Sequence, residues 1–296
     1  MITTLITLAL SAHLNEPSLS LLQIQSESFS RQFSGIEVVQ LTPLPEKKAD
    51  TQVYLTAKSA LVIDVNSGKV LFAKNIEEKL PIASLTKIMT AVVVLEETQN
   101  INAITTVPKE APQVMGSRVL LRSGEKISYR DLLYSLLIPS GNDAAVALAI
   151  TTAGSQELFI QKMNEKALAL GMKNTHFSNP HGLDDPENYS TANDLAILAN
   201  YALKKKLIRS IIDISALEIV SADGLTHLLS STNKLLGIDP EIKGFKTGST
   251  AKSGESLIAL AVNEYGNEII TILLSSNDRF AETQYLKEKI WESYVW

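Results

Sequence analysis

Strand patterns at both ends of the chain, with helical patterns filling the middle, constrain the fold more than any other feature. Near the amino end, residues 60–65 and 70–73 are apolar runs on either side of Asn66-Ser67-Gly68-Lys69. Apolar strands around a Gly-containing turn make a hairpin. Near the carboxyl end, residues 245–250, 256–263 and 268–275 read as three strands, the last two flanking the turn Glu264-Tyr265-Gly266-Asn267. Between them, Leu85, Ile88, Met89, Val92, Val93 and Leu95 recur near helical spacing and predict a helix over 84–97. Further helices are expected over 129–138, 144–150, 158–170 (stopped by Gly171), 193–205 and 279–294. Joining the two ends gives an α+β fold: one antiparallel sheet flanked by helices, with a helical lobe inserted. A site is expected in the crevice between sheet and lobe.

With 45% of its 296 residues hydrophobic, the chain can bury one large core or two smaller ones. The net charge of −5 comes from 27 basic and 32 acidic residues without a charged block, so no nucleic acid is expected as a partner. The absence of cysteine excludes a thiol nucleophile, a zinc–thiolate site and disulfides. Residues 1–10 are mostly apolar and are followed by Ser11 and Ala12, the pattern of a signal-peptide core and cleavage site, but the preceding basic region is missing. That run is too short to span a bilayer, and no later run is long enough, which leaves membrane association open. The next stretch is rich in Ser, Gln and Glu and ends in Thr42-Pro43-Leu44-Pro45-Glu46-Lys47-Lys48, which reads as a linker. The expected organisation is an amino-terminal segment over 1–50 and a folded domain over 51–296.

Three short motifs carry the chemistry: Ser84-Leu85-Thr86-Lys87, Ser140-Gly141-Asn142 and Lys246-Thr247-Gly248. Ser-x-x-Lys occurs four times, beginning at Ser84, Ser123, Ser231 and Ser249, and only Ser84 opens a long helical pattern. Residues three apart share a helical face, so Lys87 can lie beside the Ser84 hydroxyl. A helix start also aims free N–H groups and a partial positive charge at Ser84, which favours an oxyanion there. Ser140-Gly141-Asn142 lies between two helices, where a tight loop can aim both polar side chains into one crevice. Lys246 and Gly248 interrupt a strand; the glycine permits close approach of another backbone or a ligand, and the lysine supplies a cation. Taken singly, each motif reads more readily as structure: an N-cap serine, ordinary turn residues, an edge-strand lysine.

The combination is more specific, because Ser-x-x-Lys, Ser-Asp-Asn and Lys-Thr-Gly in this order are a set shared by penicillin-binding proteins and class A β-lactamases, and this chain follows it with Gly141 in place of the Asp. On them the chain resembles the low-molecular-weight penicillin-binding proteins, the serine D-Ala-D-Ala carboxypeptidases, from roughly Val53 to its end. The likeness extends to Pro81-Ile82-Ala83 before the serine and Ile88-Met89-Thr90 after it, to Asp143-Ala144-Ala145, to His181-Gly182-Leu183-Asp184, and to Gly244-Phe245 with Ser249-Thr250 around the Lys-Thr-Gly. It implies a β-lactamase/DD-peptidase-like fold and a location outside the cytoplasm. The implied substrate is a peptidoglycan stem peptide ending in D-Ala-D-Ala, with β-lactams as covalent inhibitors and neither metal nor organic cofactor.

No Ser-His-Asp triad is apparent in the motif segments, and His176 and His181 read as structural. Lys87 is then the base for Ser84 and must be neutral, which burial and a neighbouring cation such as Lys246 favour. The resemblance further implies that the N–H groups of Ser84 and Ser249 hold the oxyanion and that Ser140 passes a proton to the leaving amine. It has Asn142 position Lys87 and the substrate, and Lys246, Thr247, Gly248 and Ser249 bind the terminal carboxylate. Arg279 is expected to assist that binding, and Asp184 to support deacylation. A class A β-lactamase would need a Glu for its deacylating water, and no Glu-x-x-x-Asn stands at a suitable place between Asn142 and Lys246. A D,D-endopeptidase is the nearer rival, and a non-catalytic wall-binding module the more distant one.

Overall fold

Apolar runs near both ends of the described chain build the sheet of the computed structural model, which describes residues 44–296. The apolar amino-terminal run, and most of the polar stretch after it, lie outside the described residues. β1 (Ser59–Asp64) and β2 (Val70–Lys74) form the first hairpin. The lobe follows: α1 (Thr86–Glu97), α2 (Tyr129–Leu137), α3 (Asn142–Ala153), α4 (Gln156–Ala169), α5 (Ala192–Leu203) and the short α6 (Lys206–Ile212). A small hairpin, β3 (Ala216–Val220) with β4 (Thr226–Ser230), leads to β5 (Ile242–Thr250), β6 (Gly254–Val262) and β7 (Glu268–Ser276). The last helix is α7 (Arg279–Ser293).

The main sheet has the order β5-β6-β7-β1-β2 and every pairing is antiparallel. The two chain ends meet where Ile270 pairs with Ile63 and Ile272 with Leu61. Successive side chains take opposite faces of a strand, and here both faces are covered. Leu61, Ile63, Ile258, Leu260, Ile270 and Ile272 pack with the lobe. Ala60, Val62, Leu257, Ala259, Ile269 and Leu273 pack with Leu286 and Ile290 of α7. The lobe centres on α3, whose run from Asn142 to Ala149 is buried on every side. Its alanines let α2, α4 and α1 approach closely, as a helix apolar all round requires.

Three local readings change. The helix expected from Ser84 begins as a 3-10 turn, Ala83–Leu85, and becomes α-helical only at Thr86. The linker reading of Thr42 to Lys48 does not hold from Glu46 on, because Glu46–Lys47 pairs with Tyr294–Val295. The β3–β4 hairpin has no counterpart among the strands expected from the sequence, although Asp223-Gly224 at its turn is a strong hairpin signal. Its strands expose alternate residues to solvent, which leaves a weak apolar pattern.

Candidate active site

Backbone geometry presents the turn that carries Ser84. Ala83 takes φ +47°, an uncommon conformation for a residue with a side chain, immediately before Ser84. Two glycines make room for this turn. Gly182, at φ +87°, lies so close that a Cβ there would overlap the Ala83 carbonyl. A Cβ on Gly248 would stand 2.9 Å from the Ile82 carbonyl and 3.3 Å from the Ser84 nitrogen. The Lys-Thr-Gly strand therefore runs directly against the serine, and only a residue without a side chain permits the approach.

Lys87 lies one turn along, fully buried. Its Nζ is 2.9 Å from Ser84 Oγ, 2.7 Å from Asn142 Oδ1 and 2.5 Å from the His181 carbonyl. Three elements thus converge on one amine: the Ser84 turn, the start of α3 and the 179–183 loop. The amide of Asn142 is completed by donation to the Met115 carbonyl at 2.6 Å. Burial holds the Lys87 ammonium well below the ordinary lysine value, and the Lys246 cation lowers it further against the opposing pull of Asp143.

Lys246 is buried on β5, and burial together with the Arg279 cation pushes it down to about 7. Its Nζ donates to the Thr247 carbonyl at 3.1 Å. The Thr247 hydroxyl is 2.6 Å from that of Thr232, and Ser249 is exposed at the rim. Arg279, the first residue of α7, reaches across to the Gly248 carbonyl with Nη1 at 2.9 Å. Ser140 is buried just before α3 at φ +65°, and Lys87 bonds to Ser84, Asn142 and His181 rather than to it. Asp184 accepts from the Thr250 hydroxyl and so ties the 179–184 loop to the end of β5.

Several groups at the site had no side-chain signature in the sequence. The His181 contribution is its carbonyl; the ring, lowered to about 4 by burial and by Lys87, accepts from the Leu183 N–H at 3.1 Å. The Pro180 carbonyl beside it accepts from Thr90 of α1 at 2.6 Å. Met115 likewise acts through its carbonyl. Asp143 had one available signal, an acid in the first turn of a helix, but that is a common stabilising position. Here its carboxylate accepts from the Ala144 N–H of its own first turn and also collects the Val119 and Leu121 N–H groups.

Comparison with known proteins agrees with this architecture. The family model described as D-alanyl-D-alanine carboxypeptidase matches residues 46–278. The D-alanyl-D-alanine carboxypeptidase DacF of Bacillus subtilis is 34% identical over 261 residues, covering 86% of this chain and 67% of the relative. A D-alanyl-D-alanine endopeptidase of Pseudomonas aeruginosa is 42% identical over 161 residues, covering 54% of this chain and 52% of that protein. The chain thus spans between about half and two thirds of the length of these curated relatives. The crystal structure of a Streptomyces DD-transpeptidase superposes with a TM-score of 0.78 at 30% identity, covering 82% of this chain and 100% of that one.

Proposed function

Since the chain belongs to the D-alanyl-D-alanine carboxypeptidase family, we propose that it hydrolyses D-Ala-D-Ala ends of peptidoglycan stem peptides through an acyl-enzyme on Ser84. One observation carries the reading: Lys87 Nζ faces three oxygens. A neutral amine has two N–H bonds and one lone pair. Donating to the Asn142 amide oxygen and the His181 carbonyl leaves the lone pair for the Ser84 hydroxyl proton. Burial and the nearby Lys246 cation favour that neutral form.

In this reaction Ser84 Oγ bonds to the carbonyl carbon of the penultimate D-Ala as Lys87 takes the hydroxyl proton. The Ser84 N–H, on the nucleophile turn against β5, and the Ser249 N–H, farther along that strand, stabilise the oxyanion. Ser140 relays a proton to the departing D-Ala amine, and the C–N bond breaks. Water then attacks the ester, releases the shortened peptide and restores Ser84. The terminal carboxylate is bound by Lys246, Thr247 and Ser249, with Gly248 leaving room beside Ser84 and Arg279 fixed behind them on the Gly248 carbonyl. Asp184 acts by holding the loop that carries the His181 carbonyl. The substrate class implies action outside the cytoplasm; no helix among the described residues is long and apolar enough to cross a membrane.

β-Lactams would acylate the same serine. Labelled penicillin is expected to form a covalent adduct that maps to Ser84 and is lost in Ser84→Ala; an adduct that survives this change removes Ser84 from the mechanism. Endopeptidase action is the second reading, favoured by the relative of that name with its 42% identity. Release of D-Ala from a pentapeptide, compared with cleavage of a cross-linked dimer, separates the two.

A further inference from the structure

Residues 115–121 lie as a strap across the start of α3. Asn142 donates to it twice, through Nδ2 to the Met115 carbonyl (2.6 Å) and through its backbone N–H to the Ser117 carbonyl (2.7 Å). The Ser117 hydroxyl donates back to the Pro139 carbonyl at 2.9 Å. Farther along, Asp143 accepts from the N–H groups of Val119 and Leu121. Leu120 between them sits at φ +64° and is exposed, so this strained turn is kept by its neighbours' bonds and not by burial of its own side chain.

The other side of the strap is held by a group distant in sequence. His227 of β4 has Nδ1 at 3.1 Å from the Val119 carbonyl and Nε2 at 2.7 Å from Glu125 Oε1. The second Glu125 oxygen accepts from the Arg122 N–H at 2.9 Å. The Glu125 side chain is 0% exposed and that of His227 7%. Both ring nitrogens therefore face oxygens that accept. A neutral imidazole has one donor only. Satisfying both contacts requires one further proton on the pair, as imidazolium beside carboxylate or as neutral imidazole beside a protonated carboxyl. Charged residues near the pair along the chain are Arg118 beside Val119 and Arg122 and Lys126 near Glu125; Asp143 on α3 accepts from the Val119 N–H, and Asp223 on the β3–β4 turn accepts from the Lys126 N–H at 2.7 Å.

We propose that Glu125 and His227 are positioning residues for the active site. Held at Nε2 by residue 125, His227 donates from Nδ1 to the Val119 carbonyl, and the clamped strap keeps the Met115 carbonyl on Asn142, whose other amide atom aligns Lys87 beside Ser84. This rests on the acyl-enzyme reading above for its kinetic consequence, but not for its structural one.

Two variants separate a donor-specific clamp from simple packing. In Glu125→Gln the new amide donates to a neutral His227 Nε2, so Nδ1–H still reaches Val119 without a shared proton. In His227→Gln a donor to Glu125 remains, but the shorter side chain cannot bridge to Val119 as well. The expected result is penicillin acylation of Glu125→Gln within about twofold of wild type. His227→Gln should acylate about tenfold more slowly, with cooperative melting retained and reversible penicillin affinity little changed. The Asn142 side-chain amide resonances should shift in His227→Gln and stay in place in Glu125→Gln. Wild-type acylation and unmoved Asn142 resonances in His227→Gln would overturn the proposal, as would equal losses in both variants. Wild-type protein that takes up no penicillin at Ser84 defeats the functional reading instead, and the Asn142 resonances then decide the clamp alone.

Discussion

The reactivity of Ser84 is a matter of one proton and where its neighbours let it sit. In the proposed reaction Lys87 must be neutral to act and Lys246 charged to hold a carboxylate, and both are buried. Burial and a neighbouring cation depress both: Lys246 acts on Lys87 against the pull of Asp143, and Arg279 acts on Lys246, which is pushed down to about 7. For each lysine the folded value is depressed, so protonation of Lys87 removes the base as pH falls, and loss of the Lys246 proton removes the carboxylate cation as pH rises. The pH profile of kcat/KM for a D-Ala-D-Ala peptide should therefore fall above about 7, since that ratio reports the free enzyme. Lys246→Arg should move this alkaline limb upward because a guanidinium keeps its charge; a limb that stays put assigns it to another group. Lys87→Ala should slow penicillin acylation by about 10²–10⁴-fold, the usual worth of base catalysis, measured by single-turnover labelling.

At the scale of elements, the site is a junction where a 3-10 turn, a strand edge and a loop come within backbone contact. Gly182 shows how little slack there is, because a methyl group there meets the Ala83 backbone while its own φ of +87° already disfavours a side chain. Gly182→Ala should push the nucleophile turn out of register. It should slow acylation at Ser84 by about tenfold or more and lower stability by about 1–3 kcal/mol, the usual cost of a strained residue. Denaturant titration and labelling kinetics measure the two effects. Gly68→Ala is the control: its φ is also positive, at +71°, but nothing lies within 4 Å of its Cβ position. It should cost stability without touching acylation.

Over the described residues, the sheet separates two cores, and Ile82 and Leu85, which lie on either side of Ser84 in the chain, belong to the one facing the lobe. Leu286 of α7 is fully buried in the other core against the far face of the sheet. Leu286→Ala should lower the unfolding free energy by about 2–5 kcal/mol, the cost of a large-to-small core change. The folded fraction should acylate at the wild-type rate; a parallel loss of acylation would mean that the far core sets the site geometry.

What was legible in the sequence was periodic or local. Apolar runs at both ends stood out because the sheet is covered on both faces, and helical spacing between them because one face of each helix must avoid water. Ser84 and Lys87, three apart on one helical pattern, had their proximity written into that spacing. Only the folded chain decided the rest. The meeting of β1 with β7 turns on pairings some 200 residues apart, such as Ile63 with Ile270. The carbonyls of His181 and Met115, the clamp of His227 on Glu125, and the reach of Arg279 to Gly248 involve backbone atoms or distant partners. Every residue carries the same backbone carbonyl, so no pattern of side chains can announce which of them a fold will aim at a buried amine.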